Sequence, residues 1–181
     1  MTRVACIASA FALLAAVPAN AAEKGMVSYD ALSPTARDLT GEGLTFSYSK
    51  SLLHMRVLAI RATAVPVGVI VTPLTDGRIA QKLDRLAGAD AKVGSLYVIH
   101  PDEEQGNVMV QAFCPGSKSG WLSIGPIRHA EPLRVYAFGD DPGTGEPKLC
   151  ATMDFQFRGE WRMPSDIHHA DPTDTVFAPD Y

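Results

Sequence analysis

The sequence predicts an α+β, mainly β domain. About seven to eight short, mostly antiparallel strands should surround one amphipathic helix at about 76–88, with a small β-sandwich or barrel as the alternative arrangement. Three observations carry this. Apolar and polar residues alternate with period two over most of the chain from Leu44 to Arg158. One segment alone, around Ile79, Leu83 and Leu86, has the spacing of an amphipathic helix. Turn-forming clusters such as Thr75-Asp76-Gly77 and Gly139 to Pro147 separate the patterned runs.

In chain order, residues 1–21 read as a secretory signal. Met1-Thr2-Arg3 supplies a positive start, Val4 to Val17 is an apolar run too short to span a bilayer, and Ala19-Asn20-Ala21 ends in small residues suited to cleavage. Residues 22–43 read as a loose N-terminal segment. Ser33-Pro34 offers an N-cap and a proline at the first helical position, so one helical turn is expected near 34–39. Residues 44–163 form the single predicted domain.

Within it, Leu44, Phe46 and Tyr48 share one strand face. Leu53, Met55, Val57 and Ala59 repeat the pattern, and Val65 to Val71 reads as a central strand with Pro66 near its start. The helix follows and stops at Gly88. Ser95–His100 and Asn107–Phe113 are then expected as a strand pair joined by a hairpin loop over 101–106. Gly120–Ile124 and the run around Leu133, Val135 and Ala137 give two more strands. In the longest strand, Leu149, Ala151, Met153, Phe155 and Phe157 line one face, and Cys150, Thr152, Asp154, Gln156 and Arg158 the other. Residues 164–181 hold Pro164, Pro172 and Pro179 with acidic but no basic residues, and read as an extended or disordered acidic tail.

Charge and cysteines bound the function. Setting Arg3 aside from the 16 Lys and Arg leaves 15 basic against 20 acidic side chains. No basic run accompanies them, so a nucleic-acid partner is not expected. Arg56 and Arg61 interrupt the apolar stretch over 53–74, so no transmembrane segment is expected in the mature chain. Cys6 lies in the signal, which leaves Cys114 and Cys150 as an even pair for an oxidising compartment, and a disulfide between them is expected.

The candidate chemistry is sparse. His100 beside Asp102, and His129 near Glu131, could share protons with a carboxylate; with Trp121 they make up the expected ligand-binding set. His168, His169 and Asp171 in the tail offer imidazole and carboxylate ligands suited to copper or zinc. Ser47-Tyr48-Ser49-Lys50 spells S-x-x-K, but alternation sends residues three apart to opposite faces, so that chemistry does not follow. Gly139 to Glu146 is acidic yet lacks calcium-loop spacing and reads as a turn.

No catalytic signature and no cofactor emerge. The expectation is an exported protein, periplasmic in a Gram-negative bacterium, acting as a non-catalytic binding or accessory module for an envelope protein or small ligand. The alternatives are a metal-handling protein and a small hydrolase using His100 or His129.

Overall fold

A computed structural model describes residues 22–51, 54–64, 68–88, 94–101 and 104–162. The predicted signal segment and the tail lie outside them. The chain forms an antiparallel barrel of eight strands in sequence order, closed by pairing of the first with the last. The elements are β1 (Glu23–Ala31), α1 (Pro34–Thr40), β2 (Gly43–Lys50), β3 (Met55–Ala62), β4 (Val69–Pro73), α2 (Gly77–Ala87), β5 (Ser95–Ile99), α3 (Glu104–Phe113), β6 (Gly120–Ile124), β7 (Leu133–Asp140) and β8 (Pro147–Arg162). The barrel alternative to an open sheet is therefore the observed architecture.

Each strand turns one row of apolar side chains inward. Val27 and Tyr29, Phe46 and Tyr48, Val69 and Val71, Tyr97 and Ile99, Leu122 and Ile124, and Met153 and Phe155 are all buried in a single core. An eight-stranded barrel is just wide enough for side chains to fill its interior. The outward rows carry exposed charges, among them Lys24, Arg56, Arg134 and Arg158.

The long closing strand sets the stagger. Its first half pairs with β7 (Asp140↔Pro147 to Leu133↔Phe155) and its second half with β1 (Ala31↔Phe155 to Gly25↔Arg162).

The helix predicted at 76–88 spans Gly77–Ala87. Asp76 caps it by accepting from the backbone N–H groups of Arg78 (2.8 Å) and Ile79 (3.3 Å). Its one buried residue, Leu83, packs on the outside of the barrel against Trp121, Tyr136 and Phe138.

Two segments differ from the sequence reading. Residues 22–43, expected as loose apart from one helical turn near 34–39, begin the barrel as β1, and α1 then forms where that turn was expected, with Ser33 as its N-cap. The strand is cryptic because its inward row is Gly25, Val27 and Tyr29, only two of which carry a side chain to show the period. It is fixed by ladders to both β2 and β8.

Residues 107–113, expected as a strand, belong to α3. Met109, Val110 and Phe113 are buried while Val108 is 47% exposed, the i, i+1, i+4 face of a helix. β5 and β6 already pair with each other directly, so the ladder leaves no place for a strand between them. α3 instead packs its apolar face into the core at the end of the barrel beyond Ile99. Gly106 allows this close seat, because a Cβ there would collide with the backbone carbonyl of His100.

Candidate functional site

Three β-bulges shape the two ends of the barrel. Each inserts one residue and inverts the facing of everything beyond it. Opposite Ala137–Phe138 the extra residue is Cys150, opposite Ser47–Tyr48 it is Leu58, and opposite Ser28–Tyr29 it is Arg158.

The Cys150 bulge serves the end that α3 covers. Cys114, just beyond that helix, lies at disulfide distance from Cys150 with the Cα atoms 5.4 Å apart. This meets the geometric requirement for the expected bridge. The same bulge corrects the facing of Leu149, which is 38% exposed and not inward as expected.

The other two bulges build the opposite end, here called the mouth. Past Leu58 the β3–β4 ladder stops: the pairs are Ala59↔Ile70 and Ile60↔Val69, and none continues toward Met55. Val57, Ile60 and Ala62 rather than Ala59 then form the inward row of β3. The backbone N–H of Val57 has lost a ladder partner and donates to the Tyr97 hydroxyl across the gap, 3.1 Å.

A cavity of about 220 Å³ opens between β3, β5 and β6. Met55, Val57, Tyr97, Ile124 and Ile127 give it apolar walls, and Ser95 and Arg128 stand with them in its lining. Its outer wall is the β6–β7 loop, Gly125 to Arg128.

The third bulge turns Glu160 inward at the mouth, opposite Val27. The Tyr48 hydroxyl donates to Glu160 Oε1. Gly25 makes the approach possible, since a Cβ there would stand 2.5 Å from that hydroxyl. His129 Nδ1 lies 3.5 Å from Glu160 Oε2, and the His129 ring meets Phe157 edge-on at 4.9 Å. The hydrogen bond from Tyr48 holds the Glu160 carboxyl below the usual carboxylate range, against the opposing effect of burial. Burial pushes the Tyr48 phenol up, and the contact with Glu160 adds to it. Tyr29 is pushed up to about 12, chiefly by burial.

The loop that carries His129 is also strained. Ala130 has φ +59, the left-handed region that disfavours residues with a Cβ. The Glu131 N–H donates to the Arg128 carbonyl at 3.3 Å, closing a four-residue turn with Ala130 at its third position. The Tyr29 hydroxyl reaches the same carbonyl at 3.4 Å.

The residues expected from sequence are not brought together. His129 is at the mouth, but its carboxylate partner is Glu160; Glu131 instead pairs with Arg128 at 3.3 Å. His100 follows Ile99 at the α3 end, where Nε2 lies 2.8 Å from Thr72 Oγ1. Trp121 is 8% exposed beneath α2, on the outer surface of the barrel. His168, His169 and Asp171 lie outside the described residues. Among those described, no group of three or more His, Cys, Asp or Glu is placed to hold a metal ion.

A second, wider groove of about 550 Å³ runs between Leu32–Ser33 and β7–β8. Its polar groups are committed to one another. Arg134 Nε donates to Asp154 Oδ1 at 2.6 Å, and the Asp154 carbonyl accepts from the N–H groups of Leu32 and Ser33. The mouth cavity is smaller, but it is floored by the core and lined by the donors of Tyr97 and Arg128, so it is the better candidate.

No protein-family model matches the chain, and neither does a curated protein or a solved structure.

Proposed function

We propose that this is an exported binding module that takes one small, mainly apolar molecule into the mouth of the barrel. The observation that carries the reading is the cavity of about 220 Å³ between β3, β5, β6 and the β6–β7 loop, walled by inward-facing barrel side chains. Ligand sites are concave and mostly apolar, with a few placed polar groups. This cavity falls below the ~300–1,000 Å³ of drug-sized sites, which sets the scale of the occupant. Export is supported by the apolar N-terminal run with its small-residue end and by a cysteine pair at bridging distance.

Titration with cyclohexanol, followed by amide chemical shifts, tests the reading. One saturable site is expected, and Val57→Trp, which fills the cavity, should abolish it while the far-UV circular dichroism is kept. Binding that survives the filling, or no saturable binding in the unsubstituted protein, defeats the proposal.

One observation favours hydrolysis as a second reading: Glu160 is placed to orient the His129 ring through Nδ1. No Ser, Thr or Cys partner of Nε2 is found among the described residues, so water would have to be the nucleophile. Ester hydrolysis by the intact protein that is lost in His129→Ala would support this reading.

A further inference from the structure

We infer that the mouth cavity takes a small monocarboxylate, its apolar body against Val57, Ile124 and Ile127 and its carboxylate on Tyr97 and Arg128. The inference rests on the binding reading above and adds the chemistry of the occupant.

It follows from which valences of the lining are already used. Tyr97 is 3% exposed, and its hydroxyl oxygen accepts the Val57 N–H at 3.1 Å. That bond occupies the oxygen as acceptor and leaves the O–H proton to donate. No acceptor for it occurs among the described residues. A buried donor without a partner is costly, and a ligand oxygen placed there removes the cost.

The second polar group is Arg128. Its guanidinium has five N–H donors and no acceptor, and one nitrogen, Nη1, faces Glu131 at 3.3 Å. Ser95, at the exposed edge, can both donate and accept. The committed polarity of the lining is therefore that of donors, one of them cationic. An occupant whose only polar group is an ammonium finds, among the side chains of the lining, only the Ser95 hydroxyl at the exposed edge as an acceptor. An alcohol or ether satisfies Tyr97 alone. A carboxylate presents two acceptor oxygens and a charge opposite to Arg128, and charge-assisted bonds of this kind are about twice as strong as neutral ones. The apolar walls and the small volume limit the remainder to a short chain or a single ring.

The test uses the full disulfide-bonded chain and three probes of equal length: octanoate, 1-octanol and octylamine. Each is titrated at pH 7.5 and followed by amide chemical shifts. Octanoate should bind most tightly, with octylamine at least about tenfold weaker. Tyr97→Phe should weaken octanoate by about tenfold or more and 1-octanol by a smaller factor. That variant also strips the Val57 N–H of its partner and can lose the fold, so Arg128→Gln is measured beside it. Arg128→Gln should weaken octanoate and remove the salt dependence of its binding while weakening 1-octanol by a much smaller factor.

If 1-octanol or octylamine equals octanoate, or Arg128→Gln has no effect on it, the carboxylate inference is overturned and the cavity reading stands. If no probe shifts the amides of β3, β5 or the β6–β7 loop, both are overturned.

Discussion

Replacing Cys114 and Cys150 together with alanine should cost about 4–5 kcal/mol of stability. The two cysteines are separated by 36 positions, and cross-linking a loop of that length removes about 13 cal/mol/K of chain entropy from the unfolded state, or about 4 kcal/mol at 25 °C. Cys114 is also 1% exposed, so losing its sulfur leaves a small void worth up to about 1 kcal/mol more. The bridge ties the end of α3 to β8 across β7, so the effect should be global and not confined to a frayed terminus. The assay is urea unfolding of three samples: oxidised protein, the same protein in dithiothreitol, and the double variant. At a slope of about 2 kcal/mol/M, the oxidised midpoint should lie about 2 M above the other two. Dithiothreitol should leave the double variant unmoved, which separates loss of the cross-link from other effects of reductant. An oxidised-to-reduced difference under about 0.5 M would refute the reasoning, as would alkylation of both thiols in the native, unreduced protein.

Four further outcomes are expected. Glu160→Gln should destabilise the protein at neutral pH; a carboxyl whose folded pKa is lowered contributes stability above its unfolded pKa and loses it as pH falls through the folded value, so the deficit should vanish in an acid series of thermal melts. Tyr29 has the opposite sign: its stability is whole below about pH 10 and is lost as pH rises toward about 12, so Tyr29→Phe should flatten the alkaline limb of the same curve. Ala130→Gly should raise stability by about 0.5–1 kcal/mol in urea melts, because relief of the left-handed strain exceeds the added chain entropy, whereas loss of stability would mean the turn is not strained. Gly106→Ala should destabilise by about 2 kcal/mol, since overpacking against the His100 carbonyl outweighs the ~1 kcal/mol gain in helix propensity.

How much of this was legible in the sequence depended on whether a strand kept its period. β2, β6 and the core half of β7 did, and their inward residues read directly from alternation. α2 announced itself through Asp76, Gly77 and the Leu83 stripe. β1 was hidden because a glycine occupies one of its three inward positions. α3 was misread because Val108, Met109 and Val110 form a short apolar run that fits either period.

The mouth itself could not be read. Glu160 is even-numbered like Gln156 and Arg158, and simple alternation puts it outside with them; the extra residue at Arg158 brings it in. Tyr97 was visible as a strand residue, but its role depends on the N–H that the Leu58 bulge frees. His129 was singled out from its neighbourhood, yet with the wrong carboxylate, because sequence proximity favoured Glu131. Positive φ at an alanine has no sequence signal either. The one available hint was Arg128-His129-Ala130-Glu131 set between Pro126 and Pro132, a proline-flanked polar loop in an otherwise apolar stretch.

The two ends of the barrel are finished by different physics, and that difference is the strongest argument for where function lies. At one end α3 inserts Met109, Val110 and Phe113 into the core, and Cys114 just beyond it lies at disulfide distance from Cys150 of β8. Apolar packing opposes opening there and does not depend on solvent conditions near neutrality. At the other end the β6–β7 loop is held by the Gly125 N–H donating to the Arg134 carbonyl at 3.0 Å, by Ile127 packing on the core, by the 3.4 Å bond from Tyr29, and by the His129–Glu160 contact, with His129 75% exposed. Even a fully charged exposed pair contributes only about 0–1 kcal/mol. The strain at Ala130 subtracts from that, and the broken β3–β4 ladder offers no backbone bonds to close the seam. Local opening is drawn from the parts of a fold that are held most weakly. Among the described residues, the mouth is the more lightly held end of the barrel, and the cavity lies there.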